Sequence, residues 1–537
     1  MFFNLGHIFS GKEFSLWKII LLKGYKKFTE ATIEFNTHMN ILVGENEAGK
    51  TTILDAIKIV FNQQYRNMDK ATLIELFNIQ NIEKFYGDPC IENLPQIYIE
   101  VGLELDYKGK DAEYFYGENN RLKKPLFGIV FECKFDEELG MGLDNNIKDG
   151  KIPYEYYTTK WSTFAGLSYN KIRRPLNYLN IDTSINDSES SFNYYNRTLF
   201  STSYDDSTKM MVKNMFREQI KDVFSNIELP SIGDKRHFGI NDKKVVLESI
   251  LSVYEDSIAL ENMGKGMESL IKTQIALDRS KSRLDVIVIE EPENHLCSSN
   301  LRKMIKGISD RKSDSQIIIA THSNLIASQL NLNNVQWITG SYSKSLKDVN
   351  KEVAEFFVKA ENNNFLQLLL SKKAILVEGA TEFLLLPKIY YQLTKRAIEE
   401  DEITIISCNG ISYKHYLDVV MDTNKKIAVI TDNDMNEEKI KDMKDYNKGD
   451  MFSNIFMSDS IEDWTWEVAF YRINKNLLGS LIKVQENAKY LFHGIDYGQV
   501  LGKMLNNKVD TAYKMLNAES DFEIPQYIKD AIEWLNK

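Results

Sequence analysis

Cysteine is scarce in this chain: four residues in 537, Cys90, Cys133, Cys297 and Cys408, none in a Cys-x-x-Cys spacing. That argues against a disulfide framework and a cysteine-rich zinc site, and fits a reducing cytosol. No run of about 18 apolar residues occurs, so a membrane-spanning helix is not expected. The opening Met1-Phe2-Phe3-Asn4-Leu5-Gly6-His7 has no charged stretch leading into a long apolar one, which argues against secretion and for a cytoplasmic location. Internal repeats and Pro- or Gly-rich tracts are absent. So are long heptad arms, which excludes a rod-like coiled coil. Positive charge is also in deficit: the net charge is −11. Any attraction to nucleic acid must then be local, with part of the acidity masked by metal.

What is present fits a soluble globular protein, 43% hydrophobic and 27% charged. The length calls for two or three domains. Trp17 to Leu22 and Thr32 to Phe35 read as paired strands around a turn at Lys23-Gly24-Tyr25-Lys26, and Ile97 to Leu105 alternates as another strand. Residues 108–165 read as hairpins and loops, and residues 195–245 as a mainly helical insertion with a helix over Thr208 to Phe224. Past Phe365 to Leu370, strands and helices alternate: Ala374 to Val377, Phe383 to Ala397, Ile403 to Ser407, Tyr413 to Met421, Ile427 to Thr431. That alternation predicts a parallel sheet.

Three motifs carry nucleotide chemistry. Gly44-Glu45-Asn46-Glu47-Ala48-Gly49-Lys50-Thr51 matches G-x-x-x-x-G-K-[ST] between the strand Met39 to Val43 and a helix from Thr52. Gly44, Asn46 and Gly49 shape a loop whose N–H groups face phosphate. Lys50 reaches the β/γ oxygens, Thr51 offers a hydroxyl to Mg²⁺, and Thr52 opens the helix. Val286 to Ile289 is an apolar strand ending in Glu290, placed to hold Mg²⁺, and Glu291, placed to orient or deprotonate water. Ile317 to Ala320 ends in Thr321-His322-Ser323, with His322 suited to sense the γ-phosphate.

At these residues the chain resembles the ABC-type ATPases of the SMC, RecF and OLD (overcoming-lysogenization-defect) group. The resemblance implies a glycine signature for the nucleotide of a second copy, and Gly264 and Gly266 occupy its place. The family often has a serine ahead of these glycines and a glutamine where Glu268 stands. The departure points to slow hydrolysis, or to a sensor that mainly binds ATP. For the glutamine loop of that family Gln96 is the candidate.

Two later apolar runs also end in acid: Ile375-Leu376-Val377-Glu378-Gly379 and Ile427-Ala428-Val429-Ile430-Thr431-Asp432-Asn433-Asp434. Carboxylates on adjacent strand tips can bind divalent metal and activate water for in-line attack on a phosphodiester. Glu382 lies four residues after Glu378 and faces the same strand ends if a helix starts after Gly379-Ala380. Asp432 and Asp434, two apart on an extended segment, project the same way. A helix-start acid and an Asp-Asn-Asp turn are the plain alternatives for either pair alone.

Taken in order, with Gly410 after the strand between them, these segments resemble a Toprim domain. Val377-Glu378-Gly379-Ala380-Thr381-Glu382 is similar to the OLD version. Thr465-Trp466-Glu467 resembles the family's Thr-Leu-Glu element, which implies Glu467 as a metal ligand. Lys508-Val509-Asp510-Thr511-Ala512 resembles its late lysine segment, which implies that Lys508 contacts the scissile phosphate; a surface lysine is the plain alternative. Glu437 and Glu438 read as a solvated acidic turn.

The expected architecture is therefore α/β: an ABC/SMC-like P-loop ATPase with an inserted, mainly helical dimerisation segment, followed by a Rossmann-like Toprim domain. Its parts are 1–165 (ATPase with P-loop), 166–248 (insertion), 249–368 (ATPase with signature, acidic strand and His strand) and 369–537 (Toprim). The resemblance implies an endonuclease that nicks or cleaves DNA with Mg²⁺ or Mn²⁺ under ATP control, in anti-phage defence. Homodimers or larger assemblies are implied too, with a helicase or retron partner in some members. The competing expectation is an ATP-driven DNA-binding repair or regulatory protein whose Toprim module is not catalytic.

Overall fold

A computed structural model describes residues 16–63, 70–105, 111–182, 189–225, 246–279, 284–310, 315–339, 343–347, 349–360, 364–410, 412–420, 425–449, 452–485 and 488–537. Met1 to His7, residues 226–245 of the expected insertion, and Met421 lie outside that set. The chain divides into two compact units, one of residues 1–322 with 334–345, the other of 323–333 with 346–537.

The first unit runs through β1 (Leu16–Tyr25), β2 (Phe28–Glu34), β3 (Met39–Val43), α1 (Lys50–Asn62), β4 (Ile97–Glu104), β5 (Leu126–Phe135), β6 (Tyr157–Thr163) and β7 (Tyr178–Asp182). It continues with α2 (Glu189–Ser203), α3 (Asp206–Ser225), α4 (Lys265–Arg279), β8 (Val286–Glu290), β9 (Gln316–Thr321), β10 (Val335–Ile338) and β11 (Ser343–Ser345). Two sheets result. One is antiparallel, ordered β2-β1-β4-β5, with β6 and the short strand Tyr116–Gly117 on the far edge of β5. The other is ordered β11-β10-β3-β9-β8-β7 and is parallel except at β11.

Burial explains both patterns. Alternate residues of the antiparallel strands, among them Ile20, Leu22, Ile99, Val101, Phe131 and Trp161, pack with Ile53, Ile57 and Val60 of α1 in one core. Their neighbours face outward, the period-two pattern of a half-buried sheet. In the parallel sheet β8 and β9 are buried along their whole length and read as continuous apolar runs.

Two placements differ from expectation. The first turn falls at Lys26-Lys27 rather than Lys23 to Lys26. Tyr25 is fully buried and pairs with Phe28, so β1 runs on to it and Lys26 takes the left-handed φ of 46°. The second concerns β7, which lies inside 166–248. Its residues Tyr178 to Asp182 pair in parallel with Val286 to Glu290, so this stretch extends the P-loop sheet and the helices α2 and α3 follow it.

The second unit contains β12 (Lys373–Val377), α5 (Ala380–Thr394), β13 (Ile403–Ser407), α6 (Tyr413–Val420), β14 (Lys426–Ile430), α7 (Glu437–Tyr446) and β15 (Ser453–Phe456). After these come α8 (Trp466–Ile473), α9 (Lys508–Leu516) and α10 (Gln526–Asn536). The four strands are parallel in the order β13-β12-β14-β15. β12 and β14 are central, so their C-terminal tips sit side by side. The late helices brace this arrangement. Lys388 on α5 donates to the carbonyls of Met515 and Leu516 at 3.1 Å each, and to that of Ala518, tying the end of α9 to α5. On α10, the Trp534 carbonyl accepts from Lys426 at 3.0 Å and Asn536 Oδ1 accepts from the Tyr390 hydroxyl at 3.1 Å.

Candidate active sites

The P-loop connects β3 to α1. Gly49 has φ 108°, and a Cβ there would meet the Phe28 ring at 2.5 Å, so both backbone and packing require glycine. Glu45, Asn46 and Glu47 form an exposed crown, and Thr51 and Thr52 open the first turn of α1. Lys50 is buried; its ammonium donates to Gly44 O at 2.9 Å and Glu45 O at 3.2 Å, and stands 4.0 Å from Glu291 Oε1. Burial lowers the Lys50 pKa, and the Glu291 charge opposes that shift.

Opposite the loop, β8 and β9 deliver the acids and the histidine. Glu291 Oε2 lies 2.6 Å from His322 Nδ1. Glu293 Oε1 accepts from the His322 N–H at 2.8 Å and from the Thr321 hydroxyl at 2.6 Å. The ligand atoms of Glu291, Glu293 and His322 all fall within 4.8 Å of one another. Burial, then the Glu293 charge, raises the Glu291 pKa, the direction that suits a proton acceptor. Glu290 is almost fully buried and accepts from Lys58 at 2.8 Å and Asn180 at 2.9 Å. Its carboxylate is therefore shared with α1 and β7.

Glu293, Lys58 and Asn180 were not singled out from sequence. Lys58 lies eight residues after Lys50, on the same face of α1, and that spacing was a usable signal. Asn180 had none, because only the pairing of β7 with β8 brings it close. Gly266 opens α4 with the His295 carbonyl 2.2 Å from where a Cβ would sit, so packing alone demands glycine there. Gly264 faces open space. Gln96 sits at the foot of β4 and lines the cleft on the outer face of the antiparallel sheet.

In the second unit the strand-tip acids sort into two groups. Glu378, at the tip of β12, accepts from the Thr431 hydroxyl and lies 3.7 Å from Lys439 Nζ. Asp434 accepts from the same ammonium at 2.8 Å. The inner group is Glu382, Asp432, Glu467 and Lys508. Lys508 Nζ is 3.0 Å from Glu467 Oε2, and Asp432 Oδ1 accepts from the Trp466 N–H at 2.9 Å. Asp432 and Asp434 thus do not project the same way. The buried Asn433 between them donates to Ser458 O at 3.0 Å and Ser460 O at 2.9 Å, and Asp434 turns outward at φ 55°.

The Thr465-Trp466-Glu467 element has a plain local cause. Thr465 caps α8 by accepting from the Val468 N–H, Trp466 fills the core against Phe470, and Glu467 in the first turn is left facing the acids. Glu437 and Glu438 are exposed at the start of α7. Lys439, on the next position, was missed from sequence; its signal was a cation one helical turn past the Asp-Asn-Asp segment.

Crowding of like charge shows in the protonation equilibria. Burial, followed by the charge of Glu467, pushes the Glu382 pKa from 4.5 up to about 7. Burial and the Glu382 charge push Asp432 in the same direction. Lys508 moves up, its burial outweighed by Glu467, Asp432 and Glu382. A consequence follows for stability. The folded Glu382 keeps its proton up to about pH 7, whereas the unfolded residue loses it near 4.5. Its stabilising contribution is present below 4.5 and lost as pH rises through 7. In EDTA, raising the pH across that window is expected to cost on the order of 2–3 kcal/mol. Glu382→Gln should flatten this dependence, as followed by thermal melts at pH 5 and 8. An unflattened profile would reject Glu382 as the titrating group.

The acids and the Thr431 hydroxyl at these tips are oxygen donors, the type preferred by Mg²⁺ and Mn²⁺. Five carboxylates face two ammonium groups, so a divalent cation fits the net charge as well as the donor type.

Residues 369–434 match the family model for an overcoming-lysogenization-defect protein-like TOPRIM domain, and residues 18–114 and 170–327 match an AAA ATPase domain. Endonuclease GajA of Bacillus cereus is 20% identical over 454 residues, covering 79% of this chain and 75% of its own length. The DNA replication and repair protein RecF of Staphylococcus haemolyticus is 26% identical over 50% of this chain and 69% of its own. Among solved structures, an SMC head bound to the C-winged helix domain of ScpA covers 62% of this chain at 13% identity and a TM-score of 0.32. RecF with ATP covers the same share at the same identity and TM-score.

Proposed function

Since the chain joins an AAA ATPase domain to a Toprim domain of the overcoming-lysogenization-defect type, we propose that it is an ATP-controlled, metal-dependent DNA endonuclease. The observation that carries this reading is the gathering of Glu378 and Asp432, beyond the tips of two neighbouring parallel strands, with Glu382 and Glu467 from the first turns of α5 and α8 and Lys508 beside them, while Asp434 lies outward with Lys439. A divalent cation held by these acids would supply charge neutralisation of the phosphodiester and activation of water.

The chain's own residues do the rest. Glu467 holds the Lys508 ammonium at the mouth of the acids, where it can meet a phosphate oxygen. Lys439 balances Glu378 and Asp434 from the other side. In the ATPase, Lys50 and the loop N–H groups receive the phosphates. Glu291 takes a proton from water, and His322 holds Glu291 in place through their 2.6 Å contact. The family resemblance adds anti-phage defence as the setting, a second copy of the chain as partner through 166–248, and the signature glycines Gly264 and Gly266 as its nucleotide contact.

The repair-protein reading leans on the likeness to RecF, which extends over half of this chain. It leaves the acids of the second unit without a task. Plasmid cleavage with Mg²⁺ or Mn²⁺, with and without ATP, tests the proposal. Nicked or linear product that disappears in EDTA is the expected result. Intact plasmid under every combination would sink the endonuclease reading in favour of the repair one.

A further inference from the structure

The outer face of the antiparallel sheet is not used by either site. Strand register lays four of its side chains in one row: Lys23 on β1 opposite Tyr98 on β4, Tyr98 opposite Glu132 on β5, Glu132 opposite Lys160 on β6. The loop 117–124 folds over this row. It is pinned by Glu100, a buried carboxylate that accepts from the Arg121 N–H at 2.9 Å and the Tyr98 hydroxyl at 2.7 Å. Asn120, also buried, closes the loop on Gly117 O at 3.2 Å and Lys124 O at 2.6 Å. Between loop and sheet lies a cleft of about 460 Å³ bordered by four cations, Lys23, Arg121, Lys123 and Lys160, with the acids Glu132 in the row, Glu100 under the loop and Glu30 opposite Lys23 on β2.

Among the described residues Lys23, Lys123 and Lys160 form no ion pair, while Arg121 pairs with Glu30. All three lysines are exposed. In a chain of net charge −11 such a concentration of cations is local and specific in place. Lys23 and Lys160 stand three strand spacings apart, roughly 14 Å at ~4.8 Å each. They are too far apart to close on a single phosphate. A duplex presents one negative charge per ~1.7 Å of its axis, so its backbone meets both ends of the row at once.

We propose that this face is a DNA-binding track that holds the sugar–phosphate backbone. Lys23, Lys123 and Lys160 make the phosphate contacts, and the Glu100-pinned loop sets the position of Lys123. The inference rests on the nuclease reading for its choice of DNA as polyanion, and adds a site distinct from the cleavage centre.

The test is fluorescence anisotropy with a short labelled duplex and the full chain in EDTA, across a salt series. Changing Lys23, Lys123 and Lys160 together to Glu is expected to weaken binding by roughly tenfold or more, and to reduce the slope of log affinity against log salt by about three. The matching Gln variant should show the same direction with a smaller loss. A triple variant that binds as the wild type does, with an unchanged slope, overturns the track and leaves the nuclease reading standing. A wild-type chain that binds no duplex overturns both.

Discussion

Glu378→Ala is expected to remove DNA cleavage, lowering the rate by roughly a hundredfold or more, while ATP binding stays unchanged. Glu378 is the cleanest of the strand-tip acids to remove. Its side chain is 42% exposed, and its contacts are the Thr431 hydroxyl and the distant edge of Lys439. The fold therefore loses little when it is truncated. Glu382 differs, since its carboxyl is buried against Glu467 and its replacement changes stability as well as charge. Asp434→Ala should act as Glu378→Ala does, with Lys439 then freed from one of its two acids. Cleavage and nucleotide affinity measured side by side decide the matter: retained cleavage in Glu378→Ala rejects the assignment of the metal site.

Lys50→Ala should abolish nucleotide binding, weakening ATP affinity by about two orders of magnitude through the loss of charge-assisted bonds worth roughly 2–4 kcal/mol. The buried ammonium already carries a cost, visible as a lowered pKa, so its removal spares the fold a desolvated charge. Gly44 O, which is buried, and Glu45 O, at the exposed crown, each lose a donor. A melting temperature close to wild type, together with lost ATP binding in calorimetry, is the expected pair of results. Undiminished ATP affinity would reject the P-loop reading. The same variant asks whether nucleotide governs cleavage, because the acids of the second unit remain intact in it.

The P-loop, the acidic strand ends and the parallel alternation of the second unit were legible because each is written in contiguous residues. An apolar run followed by a carboxylate fixes both the strand and the chemistry at its tip. What stayed hidden depends on pairing between distant segments. Tyr178 to Asp182 is a short run without clean alternation, and its place in the P-loop sheet comes from partners more than a hundred residues later. Asn180 reaches Glu290 only through that placement. The divergence of Asp432 and Asp434 was equally out of reach, since it depends on Asn433 bonding two serine carbonyls in a loop after β15. Period-two reasoning placed both aspartates on one face, and a left-handed turn broke the period.

The late helices of the second unit impose an order on how the molecule comes into being. Every strand of the P-loop sheet has been synthesised by Ser345, so this sheet can close before synthesis ends. The other sheet cannot. Its central strand β14 is covered by α10, and Lys508 reaches Glu467 from a helix whose far end hangs on Lys388. A nascent chain thus holds every strand of its P-loop sheet before the helices that brace the second sheet exist.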